Sequence, residues 1–405
     1  MNICIITNGV LPVPAVNGGA VENLVQAILD RNEERKRLTI TVLSVFTKTA
    51  VLSAKEYQYT RFVFVKTPGF VRFLDRTLFW VANRVLKKQN AFNFRYIFRR
   101  FYFIYRCYQC LVKTDFDKVI LENHHSLFLL LKSKKLYGKI EHKLYYHAHN
   151  QPYHDVLCRT EIINCRNYIV VSKYIKQKYL ERYANTRAHY FILKNAVNTS
   201  LFGREMSREA YIMERNKYHL TQNDIVVLFT GRITEEKGIL KLAEAFLHID
   251  NPLVKLIIAG SSFFDTDIKT PFQTQLYKIL TPCINRVIFT GYLKYSEIWK
   301  LYTIADIGCF PSLANEAAPL TGIEAMAAGL PFITTNSGGI PEYAKPDCAF
   351  ILERDADLSA NIKQAIETLA RDSNLRKAMG EKGREISAEY NLDNYYRNFV
   401  DIVSW

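Results

Sequence analysis

Residues 316–324 read EAAPLTGIE, and this stretch decides how the second half of the chain is interpreted. The apolar run 307–310 before it has the length of a buried strand. Residues 320–328 have the composition of a helix that ends at Gly329, the residue type preferred just after a helix C-terminus. Pro319 is placed to open this helix, because a proline in the first turn loses no hydrogen bond. The stretch therefore predicts a strand, a loop and a helix in succession.

The loop and the helix each carry one glutamate, Glu316 and Glu324 respectively. In an open α/β sheet, ligands bind at the carboxyl ends of the strands, and the unpaired N–H groups of a helix N-terminus attract phosphate. A phosphate-bearing ligand is therefore expected here. A glutamate near a helix start also complements the helix dipole without any ligand, so the pair alone leaves both interpretations open.

Apolar runs alternate with helical patterns through the second half of the chain. A helix ending at Ala305 is predicted to have Ser296 as its N-cap and Glu297 in its first turn. Such alternation is typical of a doubly wound parallel sheet. The other predicted strands are 225–230, 254–259, 287–290 and 332–335, and the other predicted helices are 239–247 and 270–280.

The first half begins with a predicted strand at residues 2–6, followed by Gly18, Gly19 and an amphipathic helix from Val21. A glycine pair lets a ligand approach the backbone closely, although it is also common in simple turns. Polar sequence predicted to be irregular extends to about Asn223, and the domain boundary is expected within it, near 195–207. Further strands are predicted at 39–46, 61–65, 118–121, 144–150, 168–172 and 189–193.

The length of 405 residues exceeds what one hydrophobic core usually supports, so two domains are expected. The chain has no uninterrupted apolar run long enough for a membrane span and no basic, cleavable leader, which favours a cytoplasmic protein. Its eight cysteines are scattered. The one CxxC, Cys107 and Cys110, has no second pair and no nearby histidines, so it does not indicate a zinc site.

The net charge of +15 implies an anionic partner, which could be nucleic acid, a membrane surface or a phosphorylated small molecule. Residues 69–113 hold ten Lys or Arg and one acid, Asp75, interleaved with aromatic residues. This mixture suits an anionic membrane interface. A solvated basic face and single-stranded nucleic acid are the alternatives, but no nucleic-acid-binding motif supports the second.

His147 and His149 stand two residues apart at the end of a predicted strand, so both side chains lie on the same face. A histidine there could contact a ligand, act as a general base, or be a strand-end residue without a ligand. No Asp or Glu at ligand spacing along the chain makes the pair a metal site. Glu122, Asn123, His124 and His125 crowd the end of the preceding predicted strand and are a weaker version of the same signal.

Residues 231–238 read GRITEEKG and directly follow a predicted strand. Gly231 permits a tight turn, while Arg232 and Lys237 bring two cations to the edge that carries Glu316. A guanidinium and an ammonium group can together neutralise a diphosphate. Either cation alone is equally consistent with solvated surface charge.

These motifs together resemble the retaining, glycogen-synthase-like glycosyltransferases of family four, which make bacterial capsule, lipopolysaccharide and glycolipids. The resemblance covers nearly the whole chain. It is carried by the two glutamates, by GRITEEKG and by EAMAAGLPFITTNSGGIPE at 324–342, and more loosely by Gly18 and Gly19, by HAHN at 147–150 and by KNAVN at 194–198. It implies the GT-B fold, two Rossmann-like α/β domains facing across a cleft. The implied bounds are 1–200 for acceptor binding, 201–385 for nucleotide-sugar binding, and 386–405 for a helix that packs back on the first domain.

The resemblance also implies roles. Arg232 and Lys237 would bind the donor diphosphate, Glu316 the transferred sugar and Glu324 the ribose. His149, in preference to His147, would contact the sugar. The donor site would further include Gly18, Gly19, Gly231, Ala318, Pro319 and Leu320.

No cofactor and no metal ion are expected besides a nucleotide-diphosphate sugar, with UDP as the expected nucleotide. The acceptor would be a glycan or lipid-linked oligosaccharide, and no nucleic acid is expected to bind. Arg95, Arg99, Arg100 and Arg106 would face the acceptor or the anionic inner membrane.

Two departures from the family pattern bear on sugar identity. Ala318 and Pro319 replace the phenylalanine and glycine that are frequent between the glutamates, and Ala196 and Asn198 stand where NGVD is usual. A non-catalytic glycosyltransferase-like subunit and a sugar-nucleotide epimerase of the same architecture are the alternative functions.

Overall fold

A computed structural model of the chain describes residues 1–85, 96–260 and 271–405. The chain divides into two compact units. The first unit comprises Met1–Leu193 together with Tyr396–Trp405, and the second comprises Lys194–Tyr395.

The first unit is built on a parallel sheet whose strands are largely buried. Its strands are β1 (Asn2–Ile6), β2 (Thr39–Val45), β3 (Thr60–Val65), β4 (Lys118–Glu122), β5 (Leu144–Ala148), β6 (Asn167–Val170) and β7 (His189–Ile192). Its α-helices are α1 (Ala20–Arg35), α2 (Lys48–Ser53), α3 (Gly69–Trp80), α4 (Ile97–Lys113), α5 (Lys134–Ile140), α6 (Arg159–Ile163) and α7 (Lys173–Tyr183). Shorter 3-10 helices span Ala54–Glu56 and His125–Lys132, and a π-helix spans Val81–Val85.

The second unit repeats this plan around its own apolar core. Its strands are β8 (Ile225–Thr230), β9 (Val254–Ala259), β10 (Val287–Gly291), β11 (Ile307–Phe310), β12 (Phe332–Thr335) and β13 (Ala349–Leu352). The α-helices from Lys194 onward are α8 (Thr199–Phe202), α9 (Arg208–Lys217), α10 (Ile239–Leu247), α11 (Pro271–Leu280), α12 (Tyr295–Ile304), α13 (Leu320–Ala328), α14 (Ile340–Tyr343), α15 (Leu358–Arg371), α16 (Ser373–Ser387) and α17 (Leu392–Ser404). The 3-10 helices are Glu235–Lys237, Thr281–Arg286 and Ala388–Tyr390.

Both sheets have the strand order of a doubly wound Rossmann fold. The first runs β3-β2-β1-β4-β5-β6-β7 and the second β10-β9-β8-β11-β12-β13, with parallel pairing throughout. The order changes direction between β1 and β4 in one sheet and between β8 and β11 in the other. Ligands of open α/β sheets bind at such a switch point, beyond the carboxyl ends of the strands. The predicted fold class is confirmed.

Local details differ from the sequence-based expectations. Pro319 is the N-cap of α13 and lies just before its first turn. The N-cap of α12 is Lys294, so the assignment of Ser296 as the cap was wrong. The stretch predicted to be irregular contains α9, which begins where the side chain of Ser207 accepts a hydrogen bond from the backbone N–H of Ala210. Such a cap stabilises a helix by about 1 kcal/mol.

The division between the units falls at Leu193 and Lys194, a few residues before the predicted 200/201 boundary. Hydrogen bonds explain why the next residues belong to the second unit: the backbone N–H of Asn195 donates to the hydroxyl of Tyr343 at 3.2 Å, and its side chain donates to the carbonyl of Ala318 at 2.7 Å.

The C-terminal end of α17 belongs to the first unit from Tyr396 onward, whereas the predicted return segment began at 386. The hydroxyl of Tyr396 lies 2.7 Å from Oδ1 of Asn32, and the ring of Trp405 lies 4.5 Å from that of His189. Within the ranges that the structure describes, every helix is too short or too polar to cross a bilayer.

Candidate active site

The loops that follow β8 and β11 meet at the switch point of the second sheet. β8 and β11 are paired neighbours, with Ile307 opposite Val227 and Gly308 opposite Leu228. Because the strands are parallel, the chain leaves both at the same edge of the sheet. The loop after β8 carries Lys237, and the loop after β11 carries Glu316.

Lys237 and Glu316 form an ion pair at this edge. Nζ of Lys237 lies 2.6 Å from Oε1 of Glu316, and Oγ of Ser312 lies 2.5 Å from the same oxygen. The two ionic side chains are 26% and 17% exposed, so both remain accessible from one side. The sequence analysis predicted Lys237 and Glu316 as site residues but not Ser312. Its position just after β11 is the signal that could have indicated it.

Backbone hydrogen bonds hold the Glu316 loop in place from both sides. The N–H groups of Leu313 and Ala314 donate to the carbonyl of Glu236, at 2.8 and 3.1 Å. The carbonyl of Glu316 accepts from the N–H of Gly339 at 2.7 Å. The side-chain position of Glu316 is therefore set by two neighbouring loops.

Two glycines allow these loops to approach so closely. A Cβ on Gly238 would stand 1.8 Å from the carbonyl oxygen of Pro311, and one on Gly338 would stand 2.1 Å from that of Glu316. Both glycines also have positive φ values, +69° and +55°, which other L-residues rarely adopt. Any side chain at either position would push the loops apart.

Glu324 lies beneath the edge, 5% exposed, on the second turn of α13. The hydroxyl of Tyr302 donates to its Oε2 at 2.7 Å and lies 2.7 Å from Oγ1 of Thr230. Burial raises the pKa of Glu324 to about 7, although hydrogen bonds from Tyr302 and Tyr295 act in the opposite direction. No local pattern in the sequence indicated these tyrosines, because both occupy ordinary positions on an amphipathic helix.

A pocket lies beside the ion pair and brings together several predicted donor residues. Gly231 and Pro319 line it with Lys237 and Glu316. Its remaining lining residues are Phe229, Thr230, Phe310, Ser312, Thr321, Gly322, Phe332, Thr334, Ile340, Tyr343 and Ala344.

The other predicted donor residues lie outside the pocket lining. Ala318 is buried and contributes its carbonyl to Asn195, while Leu320 is the partly buried first residue of α13. Arg232 is exposed, and among the described residues no hydrogen bond or ion pair engages its guanidinium. It is therefore a cation available to a ligand at this edge.

Gly18 and Gly19 lie at the corresponding edge of the first sheet, before α1. Gly19 is the N-cap of α1 with φ +105°, and a Cβ there would stand 2.1 Å from Oε2 of Glu22. Glu22 is 3% exposed, accepts a hydrogen bond from Asn8 at 2.6 Å, and has a pKa raised chiefly by burial.

His147 and His149 meet Glu122, which comes from the neighbouring strand. Nδ1 of His147 lies 3.2 Å and Nε2 of His149 lies 3.0 Å from the carboxylate oxygens, and the imidazole centroids are 3.9 Å apart. Burial alone would raise the pKa of Glu122, but the two histidines lower it to about 2. Burial, together with His147, lowers the pKa of His149 to about 4. Within the described ranges, Nε2 of His147 is buried without a hydrogen-bond partner. The spacing along the chain could not indicate this cluster, because Glu122 is adjacent only through the sheet.

Three of the four arginines predicted to face the acceptor or membrane are described, and they do not all point outward. Arg95 lies outside the described residues. Arg106 is exposed, while the guanidinium of Arg99 stacks over the Tyr96 ring at 4.8 Å. Arg100 turns inward: among the described residues its Nη1 is buried without a hydrogen-bond partner, and burial lowers its pKa to about 10.

Comparison with known proteins assigns the family. The model of the glycosyl transferases group 1 matches residues 212–386, a range that contains Lys237, Glu316 and Glu324. The second unit, which contains this range, is a group 1 glycosyltransferase domain. The match supports hexosyl transfer as the activity of the chain.

Two relatives and one solved structure show the extent of the likeness. The putative glycosyltransferase YtcC of Bacillus subtilis is 24% identical over 95% of this chain and 87% of its own. The capsular polysaccharide biosynthesis glycosyltransferase CapM of Staphylococcus aureus is 32% identical over 42% of this chain and 43% of its own. The crystal structure of HepE from Anabaena in complex with UDP superposes with a TM-score of 0.74 at 16% identity and covers 100% of both chains. At this identity the match establishes the shared GT-B fold.

Proposed function

We propose that this protein moves a sugar, with retention of configuration, from a UDP-linked donor to a glycan or lipid-linked acceptor of surface polysaccharide synthesis. The observation that carries the proposal is the Lys237–Glu316 pair, 2.6 Å apart at the switch point of the second sheet. A cation and a carboxylate fixed side by side at this edge suit a ligand that carries both phosphate and sugar hydroxyls. The UDP in the HepE complex supports UDP as the nucleotide.

The residues around the pair would divide the donor among them. Lys237 and the exposed Arg232 neutralise the diphosphate, together with the unpaired N–H groups of the first turn of α13. Glu316 accepts hydrogen bonds from the hydroxyls of the transferred sugar, and Glu324 accepts those of the ribose. Charge that develops on the leaving diphosphate is then stabilised by groups already in position, which typically contributes a factor of about 10²–10³ in rate per group. These cations make a metal ion or other cofactor unnecessary at this site.

Retention implies that the acceptor attacks on the face from which the diphosphate leaves, through an oxocarbenium-like state. The bond from the anomeric carbon to the diphosphate oxygen breaks, and a bond to the acceptor oxygen forms. The departing diphosphate takes the proton of the acceptor hydroxyl. Lys237 lowers the energy of this leaving group by keeping a positive charge beside it.

A thermal-shift screen of the full chain against UDP, GDP, ADP and their sugar conjugates tests donor choice. Ligand binding to the folded state alone raises stability by about 2.7 kcal/mol at a hundredfold excess over Kd. We expect UDP and one UDP-sugar to give the largest shifts. Proton NMR of the product formed from that donor should show the donor's anomeric configuration, and an inverted product would overturn retention.

The thermal-shift screen and the product analysis together also distinguish transfer from the alternative functions. A non-catalytic glycosyltransferase-like subunit would bind nucleotide without consuming the donor. An epimerase of this architecture would convert the sugar while it remained linked to the nucleotide, or release it without an acceptor product.

We further propose that the enzyme docks on the cytoplasmic face of the inner membrane through the outer faces of α3 and α4 in the first unit. Aromatic and arginine side chains suit the headgroup region of an anionic bilayer. Phe73 is 67% and Trp80 is 58% exposed, and Arg72, Arg76 and Arg106 are exposed as well.

The burial of Asp75, the single acidic residue of 69–113, supports this docking face. Asp75 is 2% exposed and accepts the backbone N–H groups of Phe98 and Arg99 at 2.9 and 3.1 Å. It therefore caps the start of α4 and presents no negative charge to a membrane. In the described part of α3 and α4, the exposed ionic side chains are all basic.

Sedimentation with phosphatidylglycerol vesicles tests the docking face. Replacing Phe73 and Trp80 with serine should weaken binding at least about tenfold, because each buried aromatic side chain contributes about 1.5–3 kcal/mol. Met213→Ser is the matched control, since Met213 is 72% exposed in the second unit. Vesicle binding that is equal in the double variant and the control would overturn the docking face.

A further inference from the structure

The first unit contains a buried cluster of one glutamate and two histidines, of which the family resemblance assigns only His149, as a sugar contact. β4 and β5 are parallel neighbours in register, with Glu122 directly opposite His147. His149 is two residues further on and lies on the same face of the sheet. The backbone N–H of His149 donates to Oδ1 of Asn123 at 3.2 Å, which fixes this strand end as well. Three potential metal ligands are therefore brought together by two paired strand ends.

The distances within the cluster match those between ligands of one metal ion. Nδ1 of His147 is 3.2 Å from both carboxylate oxygens of Glu122, and Nε2 of His149 is 3.0 Å from Oε2. One ligand atom from each of the three residues lies within 4.8 Å of the others. For bonds of about 2.0–2.1 Å in a tetrahedral site, ligand atoms lie about 3.3–3.4 Å apart. The nitrogen–oxygen distances of 3.0–3.2 Å are close to that spacing.

The charge of the cluster also favours a cation. Glu122 and His147 are 0% exposed and His149 is 7% exposed. Among the described residues, no lysine or arginine pairs with the carboxylate, whose side-chain partners are the two imidazoles alone. Burying a carboxylate without a cation is costly, and buried charges in proteins are generally paired or bound to metal.

We propose that Glu122, His147 and His149 bind a divalent transition-metal ion, with zinc the best match to their chemistry. Two imidazole nitrogens and one carboxylate oxygen form a donor set that suits zinc, cobalt, nickel or copper, whereas magnesium and calcium prefer oxygen alone. Because all three ligands are buried, the ion would stabilise the carboxyl ends of β4 and β5. The site lies within the first unit.

Metal analysis of the full-length, untagged protein tests the proposal. Mass spectrometry of the metals in protein passed through a desalting column should find about one zinc ion per chain, because buried structural sites hold zinc tightly. Protein stripped of metal under denaturing conditions and refolded with Co²⁺ should show visible absorption bands of a low-symmetry cobalt site. Glu122→Gln and His149→Gln should each reduce the metal affinity at least about 100-fold.

The control is a second His–Glu pair in the same unit. His142 and Glu141 are 3.2 Å apart but lie at the surface, with His142 62% exposed. His142→Gln should leave the metal content and the cobalt spectrum unchanged. Wild-type protein that holds no metal as purified and gives no cobalt bands would reduce the cluster to a hydrogen-bonded triad and overturn the proposal, whether or not the variants fold.

Discussion

Nζ of Lys237 lies 2.6 Å from Oε1 of Glu316, although the two residues are 79 positions apart and follow different strands. Both side chains are partly exposed, and ion pairs of this kind usually contribute only about 0–1 kcal/mol to stability. The pair therefore matters for the position of its members more than for the fold. A donor would meet a cation and a carboxylate that are already in place, and less free energy would be spent on ordering them.

Gly238→Ala tests whether the close approach of the two loops is needed. The new Cβ would stand 1.8 Å from the carbonyl oxygen of Pro311. We expect the free energy of unfolding to fall by about 2–5 kcal/mol, the sum of a positive-φ cost and a steric clash. Urea unfolding followed by circular dichroism measures it.

Gly291→Ala is the matched control for this substitution. Gly291 also has φ +69°, but a Cβ there would meet nothing within 4 Å. Its alanine variant should lose only the backbone cost, about 1–2 kcal/mol. Equal destabilisation of the two variants would show that the contact with Pro311 is unimportant.

Tyr302→Phe should move the pH dependence of UDP binding. Glu324 has a pKa raised to about 7 by burial, and the carboxylate form is the one that accepts ribose hydroxyls, so affinity should increase as the pH rises through about 7. The tyrosine hydroxyl stabilises that charged form. Its loss should raise the pKa of Glu324 and shift the midpoint upward by about one pH unit, since one unit corresponds to about 1.4 kcal/mol. Calorimetric titration of UDP between pH 6 and 9 measures this shift, and an unmoved midpoint would contradict it.

Glu324→Gln should lose UDP affinity and gain stability at alkaline pH. The pKa of Glu324 is about 7 in the folded state, above the ordinary value of about 4.3 in the unfolded chain. The folded state therefore holds more protons between these values, and the wild-type free energy of unfolding falls as the pH rises through them. Glutamine does not ionise, so the variant avoids the free-energy cost of a buried carboxylate. It should be more stable than wild type by about 1–3 kcal/mol at pH 8.5, with a smaller difference at pH 5. Urea unfolding at both pH values decides the sign.

Sequence patterns predicted the fold well where periodicity and punctuation agree. The helix at 239–247 and the strands at 254–259 and 332–335 have the predicted bounds, because each apolar run is closed by a clear turn or polar signal. Ser296 was wrongly predicted as the N-cap of its helix because, in sequence, a serine inside the first turn resembles an N-cap serine. The helix at Arg208–Lys217 was missed because its apolar face is narrow.

The candidate site was predictable only where its residues follow strands directly. Lys237 and Glu316 lie in loops at strand ends, so parallel topology alone brings them to one edge. Tyr302 reaches Glu324 from another helix, and Glu122 reaches His147 through the strand register, so both relations depend on tertiary packing. The orientations of Arg99 and Arg100 depend likewise on packing, which helical spacing does not specify.

Donor turnover by Lys237→Ala and Glu316→Ala tests the central claim most directly. Each variant should remain folded by circular dichroism, because the pair contributes little to stability. Each should lose transfer by at least about 10²–10³-fold, because each removes a group that acts on the developing charge or holds the sugar. Lys241→Ala is the control, since Lys241 forms an exposed pair with Glu244 at 3.0 Å on the helix that follows. Release of UDP from the donor, measured with the acceptor present, should be unchanged in the control and abolished in the other two. Folded Lys237→Ala and Glu316→Ala proteins that turn over donor at the wild-type rate would contradict the account.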